Sequence, residues 1–258
     1  MRCKDTTAIV TGGLKGIGLA IANRLAEEGS TVFITDIDKP SEDLNANINY
    51  INADVTNELD WKRVAQLIND KRGSLDILVN NAGVDCVGPV QKTSLKNWRR
   101  VMSINVDGAF LGVKHCYDIL AKASEKRNGG ASIVNISSML SKVGYIDTSG
   151  YNASKGAISS FTKAIAVEFA SKNISIRSNS VHPGFVNTPL LQQGMQNLVN
   201  EGVADSVDVL LDTLSEMTPI GRMAKPNEIA NAVLFLASDE SSYMVGSELV
   251  IDGGWTAR

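Results

Sequence analysis

A chain of 258 residues, 43% hydrophobic and with a formal net charge of -3, is long enough to bury one large core. Its mild acidity gives no electrostatic reason to expect nucleic acid or an anionic membrane as partner. The three cysteines, Cys3, Cys86 and Cys116, are widely spaced and odd in number. They form neither a disulfide framework nor a zinc cluster, which points to a reducing, cytoplasmic setting.

The N-terminal "MRCKDTTAIVTGG" passes from charged residues straight into a short apolar run and a glycine turn. That run is too short for a signal sequence or a membrane span. Short β-rich runs then alternate with amphipathic stretches along the chain. The runs cover 6–12, 30–36, 48–54, 75–81, 131–137, 174–181 and 247–252. Apolar strands alternating with helices predict a seven-stranded parallel sheet covered on both faces, a doubly wound α/β domain spanning 1–258. The link from Lys39 to Asn49 leaves room for a helix of a turn or two at most. The segment 187–222 shows no clean strand and is expected to form a mobile flap over a site.

"IVTGGLKGIGLAIANRLAEEG" reads as strand, glycine turn and helix. Gly12, Gly16 and Gly18 would let the backbone approach a pyrophosphate at the helix N-terminus, with Leu14, Lys15 and Ile17 completing the loop. The spacing is TGxxxGxG rather than GxGxxG. Asp36, followed by Ile37, closes the second strand about 25 residues after Gly12, close to the offset expected of a ribose-binding acid. A carboxylate there accepts from ribose hydroxyls and repels a 2′-phosphate, so NAD is expected over NADP. Lys15 pulls the other way, as a cation that could attract that phosphate. A strand-end acid capping a turn is the plain alternative for Asp36.

Tyr151 and Lys155 stand four positions apart in "SGYNASKGAISSFTKAIAVEF", on one face of a predicted helix. A free tyrosine, with a pKa of roughly 10, is a poor base at neutral pH. An adjacent ammonium and the positive ring of an oxidised nicotinamide both favour the phenolate, which makes a general acid/base for a hydroxyl or carbonyl. Ser138 ends the strand at 131–137, where a parallel sheet presents its ligands. Taken alone, a Tyr-x-x-x-Lys is more often an amphipathic surface pair.

Together with "NNAG" (80–83), Asn105 in "SINVDG", "NISSM" around Ser138, "HPGFVNTP" (182–189) and the tail "GSELVIDGGWTAR", these motifs resemble the short-chain dehydrogenase/reductase family in its single-domain branch. They occur in family order over nearly the whole chain. The resemblance implies that Tyr151 is the proton donor and acceptor. Lys155 would lower its pKa and bind nicotinamide-ribose hydroxyls, and Ser138 would orient the substrate. Asn105 would anchor a water in the proton relay, or it is an internal helix amide satisfied locally. Asn81, Ala82 and Gly83 would pass the adenosine ribose, and Asp54 and Val55 would flank adenine; a solvated strand-end acid is the plain alternative for Asp54. Pro183, Gly184, Val186 and Thr188 would seat the nicotinamide, although Pro-Gly by itself reads as a turn. Of the two histidines, His115 reads as a helix-face or subunit contact and His182 as part of the turn.

Within the family the chain looks most like bacterial secondary alcohol dehydrogenases, which implies a homotetramer. Some of those enzymes keep magnesium at a C-terminal glutamine; this chain ends in Arg258, which has no acceptor atom, so no metal is expected. The pocket would be closed by Met139, Leu140, Tyr145, Leu190, Leu191 and Met195, with Ser138 and Tyr151 at its base. That lining favours a neutral ketone or secondary alcohol over a carboxylate or thioester, while core packing explains a Leu/Met cluster equally well. The competing functions are a 3-oxoacyl-thioester reductase and a non-catalytic dinucleotide-binding protein. No GxSxG elbow or HExxH motif is present, so hydrolase and zinc-protease chemistry lack their residues.

Overall fold

The computed structural model describes residues 1–200 and 202–258. Seven strands, β1 (Thr7–Thr11), β2 (Thr31–Asp36), β3 (Ile48–Asn52), β4 (Ile77–Asn80), β5 (Ala131–Ile136), β6 (Ile176–Pro183) and β7 (Glu248–Ile251), form one sheet. Their order is β3-β2-β1-β4-β5-β6-β7, and every pairing is parallel. The order reverses between β1 and β4, and a parallel sheet opens a crevice at that point.

The strands alternate faces residue by residue. Ala8, Val10, Val32, Ile34, Ile77 and Val79 join one core layer; Ile9, Phe33 and Leu78 join the other. The first layer is completed by α1 (Gly16–Glu27) and α8 (Pro226–Ala237), through Ile21, Leu25, Ile229 and Val233. The second is completed by α2 (Glu58–Arg72), α4 (Gly108–Ser124) and α5 (Ser149–Ser171), through Trp61, Ile68, Leu120 and Phe169. A β-strand inserted into such a sandwich must be apolar on both sides, and β1, β4 and β5 are buried throughout.

Local signals set the boundaries. Asn57 caps α2 by accepting from the Leu59 amide, and Gly73 ends it in the left-handed region at φ 78°. Pro226 opens α8 at a position whose N–H would have no partner.

Three places depart from the sequence pattern. Between Lys39 and Asn49 no helix forms; the chain crosses in bends, because so few residues cannot fold a helix and still reach the next strand. The periodicity over Val101–Ser124 resolves into α3 (Leu95–Met102), a π turn at Ser103–Asp107 and α4. The segment 187–222 folds as two helices, α6 (Pro189–Asn200) and α7 (Val207–Met217). Its base is tied down by a parallel bridge between Val186 and Ala224. Among the described residues no helix is long and apolar enough to cross a membrane.

Candidate active site

The site is assembled at the carboxyl ends of β1, β4 and β5. The glycine loop leaves β1 with Gly12 at φ 62° and Gly16 at φ 58°, conformations that a side chain strains. A Cβ on Gly18 would stand 2.1 Å from the Gly12 carbonyl, so the loop closes tightly onto the start of α1. Lys15 is the N-cap of α1 and offers no side-chain cap, which leaves the helix's first N–H groups for an anion. Asn81 holds the loop in place. Its amide nitrogen donates to the carbonyls of Thr11 at 2.8 Å and Gly12 at 3.2 Å. Thr11, which the sequence reading passed over, accepts from the amides of Asn81 and Ala82 through its hydroxyl, at 2.9 Å each.

At the end of β2, the Asp36 carboxylate accepts from the amides of Leu14 at 3.3 Å and Asp38 at 3.2 Å. It therefore sits against the glycine loop, with Ile37 exposed beside it. Lys15 is not free: its ammonium pairs with Asp38 at 2.9 Å. Asp38 was missed on sequence, although it stands two positions from Asp36. At the end of β3, the Asp54 carboxylate accepts from the amide and hydroxyl of Thr56, both at 2.8 Å, so it caps its own turn. The Trp61 indole pins the Val55 carbonyl at 2.9 Å.

Lys155 is buried at 5% exposure. Its ammonium donates to the Ile136 carbonyl at 2.8 Å and lies 5.6 Å from the centre of the Tyr151 ring. It is also 3.5 Å from where a Cβ of Gly83 would be, so it lies near both the Tyr151 ring and the turn after β4. Burial draws its pKa down to about 8. Burial likewise pushes the Tyr151 phenol up to about 12, opposed by a hydrogen bond with Ser138 and reinforced by the negative charge of Asp85. Among the chain's own groups desolvation outweighs the rest; the phenolate expected from the sequence also draws on the positive nicotinamide ring.

Ser138 begins a short 3-10 turn and accepts from the Leu140 amide at 3.1 Å. His182 supports that turn from behind. Its Nδ1 faces the Ser138 carbonyl at 3.1 Å and the Ser141 hydroxyl at 2.9 Å, and its Nε2 faces the Ser180 hydroxyl at 2.8 Å. Asn105 lies in the π turn, a distortion common at functional sites. Its Oδ1 accepts from the Val84 amide at 2.8 Å, while Nδ2 donates to the Val84 carbonyl at 2.9 Å and the Ser154 hydroxyl at 3.0 Å. With both amide hydrogens committed, its side chain can meet a water only as an acceptor. The locally satisfied reading of this residue therefore describes its side chain.

At the end of β6, Pro183 pairs with Ile251, and Gly184 donates to the Ile251 carbonyl at 2.9 Å. A Cβ on Gly184 would stand 2.8 Å from the Asp252 Cα, so glycine is required by that approach. Thr188 caps α6 through the Leu191 amide at 3.3 Å, and its Cβ lies 3.5 Å from the Cβ position of Gly16. The 187–222 segment thus meets the phosphate loop. The Val186 side chain is buried in the α1/α8 core layer, so a cofactor would meet this residue through its backbone.

Of the expected pocket residues, Met139 is fully buried and Leu140 is 7% exposed. Tyr145 stands edge-on to Phe185 at 5.9 Å and to Trp255 at 6.1 Å, an aromatic group the sequence reading assembled only in part. Leu191 and Met195 are half-buried. Leu190, at 45% exposed, is the least covered of the expected pocket residues on α6, and Leu191, about 100° further round the helix, is better covered. Outside the site, His115 pairs with Glu58 at 2.9 Å, and the Arg258 guanidinium stacks 4.8 Å from the Trp255 ring.

The arrangement can grip a pyrophosphate, read a ribose and move a proton beside a buried serine. Comparison with known proteins agrees with that chemistry. The family described as Enoyl-(Acyl carrier protein) reductase matches residues 12–256. The chain is 41% identical to the cyclopentanol dehydrogenase of Comamonas sp. (strain NCIMB 9872), covering 100% of this chain and 99% of that one. It is 36% identical to the NADP-dependent (R)-specific alcohol dehydrogenase of Lentilactobacillus kefiri, over 100% and 99% of the two chains. The ligand-free structure of Thermoplasma acidophilum aldohexose dehydrogenase superimposes with a TM-score of 0.90 at 34% identity, covering 99% and 96%. The chain belongs to the short-chain dehydrogenase/reductase family, as an oxidoreductase that moves hydride between a nicotinamide dinucleotide and the CH–OH or carbonyl carbon of a secondary alcohol or ketone.

Proposed function

We propose that the enzyme uses NAD(H), with Tyr151 as general acid/base, Ser138 holding the substrate oxygen and Lys155 linking the phenol to the dinucleotide. The observation that carries this reading is the position of Lys155, between the Tyr151 ring and Gly83. The fit for a dinucleotide rests on the positive φ of Gly12 and Gly16, the uncapped N-terminus of α1, and the close approach of Gly18 to Gly12 that lets the loop fold tightly onto the helix. Gly12, Gly16 and Gly18 would hold the pyrophosphate, Asp36 the adenosine ribose and Lys155 the nicotinamide ribose. When bound, the nicotinamide supplies or accepts the hydride. In the reducing direction the phenol donates its proton to the carbonyl oxygen, while the Ser138 hydroxyl steadies that oxygen. The Lys155 ammonium favours the phenolate left behind, and Asn105 holds Val84 and the turn after β4 against α5.

NAD rather than NADP is supported by two acids. The Asp36 carboxylate stands where a 2′-phosphate would approach, and Asp38 occupies the ammonium of Lys15. Helices α6 and α7 act as the substrate flap, hinged at the Val186–Ala224 bridge. A homotetramer is supported by apolar side chains left exposed on the long helices, Phe110 at 48% on α4 and Val167 at 67% on α5. Cytoplasmic residence is supported by three cysteines that are all free thiols.

Replacing Tyr151 with Phe is expected to cut turnover by about 10²–10⁴-fold, with NADH affinity, read by fluorescence titration, unchanged. Undiminished turnover would refute the assignment. The thioester alternative is favoured by the description of the matching family; comparing acetoacetyl-CoA with neutral cyclic ketones decides it, and preference for the thioester would overturn the neutral-substrate reading.

A further inference from the structure

Asp85 follows the Asn80–Gly83 turn at the carboxyl end of β4, where a parallel sheet presents its ligand-binding groups. Two glycines locate it. Cys86, the next residue, has its Sγ 3.1 Å from the Cβ position of Gly150, which immediately precedes Tyr151 on α5. From the other side, a Cβ on Gly194 would lie 3.1 Å from Asp85 Oδ2, and Gly194 is the buried position of α6. The carboxylate therefore sits between the helix that carries the acid/base and the helix that roofs the site. Its charge reaches the phenol of Tyr151, and partial burial raises its own pKa.

Among the described residues, no side chain donates to the Asp85 carboxylate, and no cation pairs with it. The Arg100 guanidinium, the nearest positive charge, reaches only the Asp85 backbone carbonyl, at 3.4 Å. A half-buried carboxylate that no other side chain engages keeps its acceptor positions open to a ligand. It raises the Tyr151 pKa, against the needs of an acid/base that must ionise, so the fold gains nothing from it. Gly194 spares the space beside Oδ2 that any larger residue would take.

We infer that Asp85 is a substrate-recognition residue that accepts a hydrogen bond from a second donor on the substrate, a hydroxyl or ammonium group near the reacting carbon. Diols, hydroxy ketones or amino alcohols are then preferred over their unsubstituted counterparts, and carboxylate-bearing substrates are repelled. This rests on the secondary alcohol/ketone reading above and narrows it.

The test compares kcat/KM for cyclohexanone with that for each positional isomer of hydroxycyclohexanone, using NADH, in the wild type, Asp85→Asn and Asp85→Ala. Taking the ratio within each variant cancels any general loss of activity. At least one hydroxy ketone should be favoured by about tenfold or more in the wild type, on the scale of one charge-assisted hydrogen bond. That ratio should fall toward unity in Asp85→Ala and partway in Asp85→Asn, which keeps shape and an acceptor. A ratio unchanged by either substitution, or no preference in the wild type, overturns the inference. A parallel calorimetric measurement on Tyr151→Phe with bound NADH compares the affinities of cyclohexanone and the same hydroxy ketones. If no ketone turns over yet the affinity ratio still depends on Asp85, the hydride-transfer reading fails and the recognition role stands. If the affinity ratio is indifferent to Asp85, the recognition role fails whatever the turnover.

Discussion

The ammonium of Lys155 lies 5.6 Å from the centre of the Tyr151 ring and donates to the Ile136 carbonyl at 2.8 Å. It is a buried cation with a neutral partner, and burial lowers its pKa from 10.5 to about 8. The protein therefore carries a cost at neutral pH, which the proposed mechanism accounts for.

Lys155→Met should expose that cost. Below pH 8 both the native and unfolded states bind the proton, and the native state bears the full penalty; between about 8 and 10.5 only the unfolded state binds it, so wild-type stability recovers as pH rises. The shift corresponds to about 3 kcal/mol, of which about 1 is returned when the Ile136 carbonyl loses its donor. Calorimetry at pH 7 should find the variant melting several degrees higher, with NADH affinity reduced. A lower melting temperature would mean that Lys155 stabilises the fold.

Cofactor choice should follow the charges at the end of β2. Asp36→Ser removes the carboxylate proposed to repel a 2′-phosphate, and Asp38→Ala releases Lys15 from its ion pair. The NADPH/NADH ratio of kcat/KM should rise about tenfold for Asp36→Ser and further in the double variant, because one like-charge contact near 4 Å is worth between about 1 and 4 kcal/mol. Steady-state kinetics with both cofactors checks this, and an unchanged ratio would place the discrimination elsewhere.

Arg177 holds three chain segments together. It donates from Nε to Gly129, from Nη1 to the carbonyls of Leu236 and Ser241 and the Ser241 hydroxyl, and from Nη2 to Ser238, all within 3.1 Å. Arg177→Met takes this donor from four buried carbonyls; Leu236, Ser238 and Ser241 each keep another, so Gly129 is left unsatisfied, at a cost of about 1–3 kcal/mol. The expected drop in melting temperature is a few degrees, with the kinetics of the folded fraction retained.

His182 should impose an acid limit on stability. A carbonyl can only accept, so Nδ1 donates to Ser138 and the neutral ring accepts from Ser180 at Nε2. Burial holds its pKa below 6.5, with Glu248 favouring the proton and Lys142 and Lys163 opposing it. The unfolded chain takes up a proton below about 6.5 that the native state resists, so stability falls as pH drops from there. Denaturant titrations across that range should show the slope flattened in His182→Asn; an unchanged slope would assign the effect to another group.

Much of this protein is written in short windows. Strand alternation, the TGxxxGxG turn and the four-residue interval from Tyr151 to Lys155 each depend on neighbours in the chain, so the doubly wound sheet and the placing of Tyr151 and Lys155 on one helix were legible directly. The link at 39–49 had to be short for the same reason, although not even a helical turn fits there.

Tertiary structure alone decided which distant polar groups meet. Asp38 neutralises Lys15 from 23 residues away, Asn105 binds Val84 from 21, and Arg177 gathers carbonyls up to 64 positions distant. Gly194 makes room for Asp85 across more than a hundred residues, and burial by distant parts of the chain pushes the Tyr151 pKa up. Periodicity encodes which side of an element is apolar. It does not encode what stands opposite, and the energy of a buried charge depends on that opposing group.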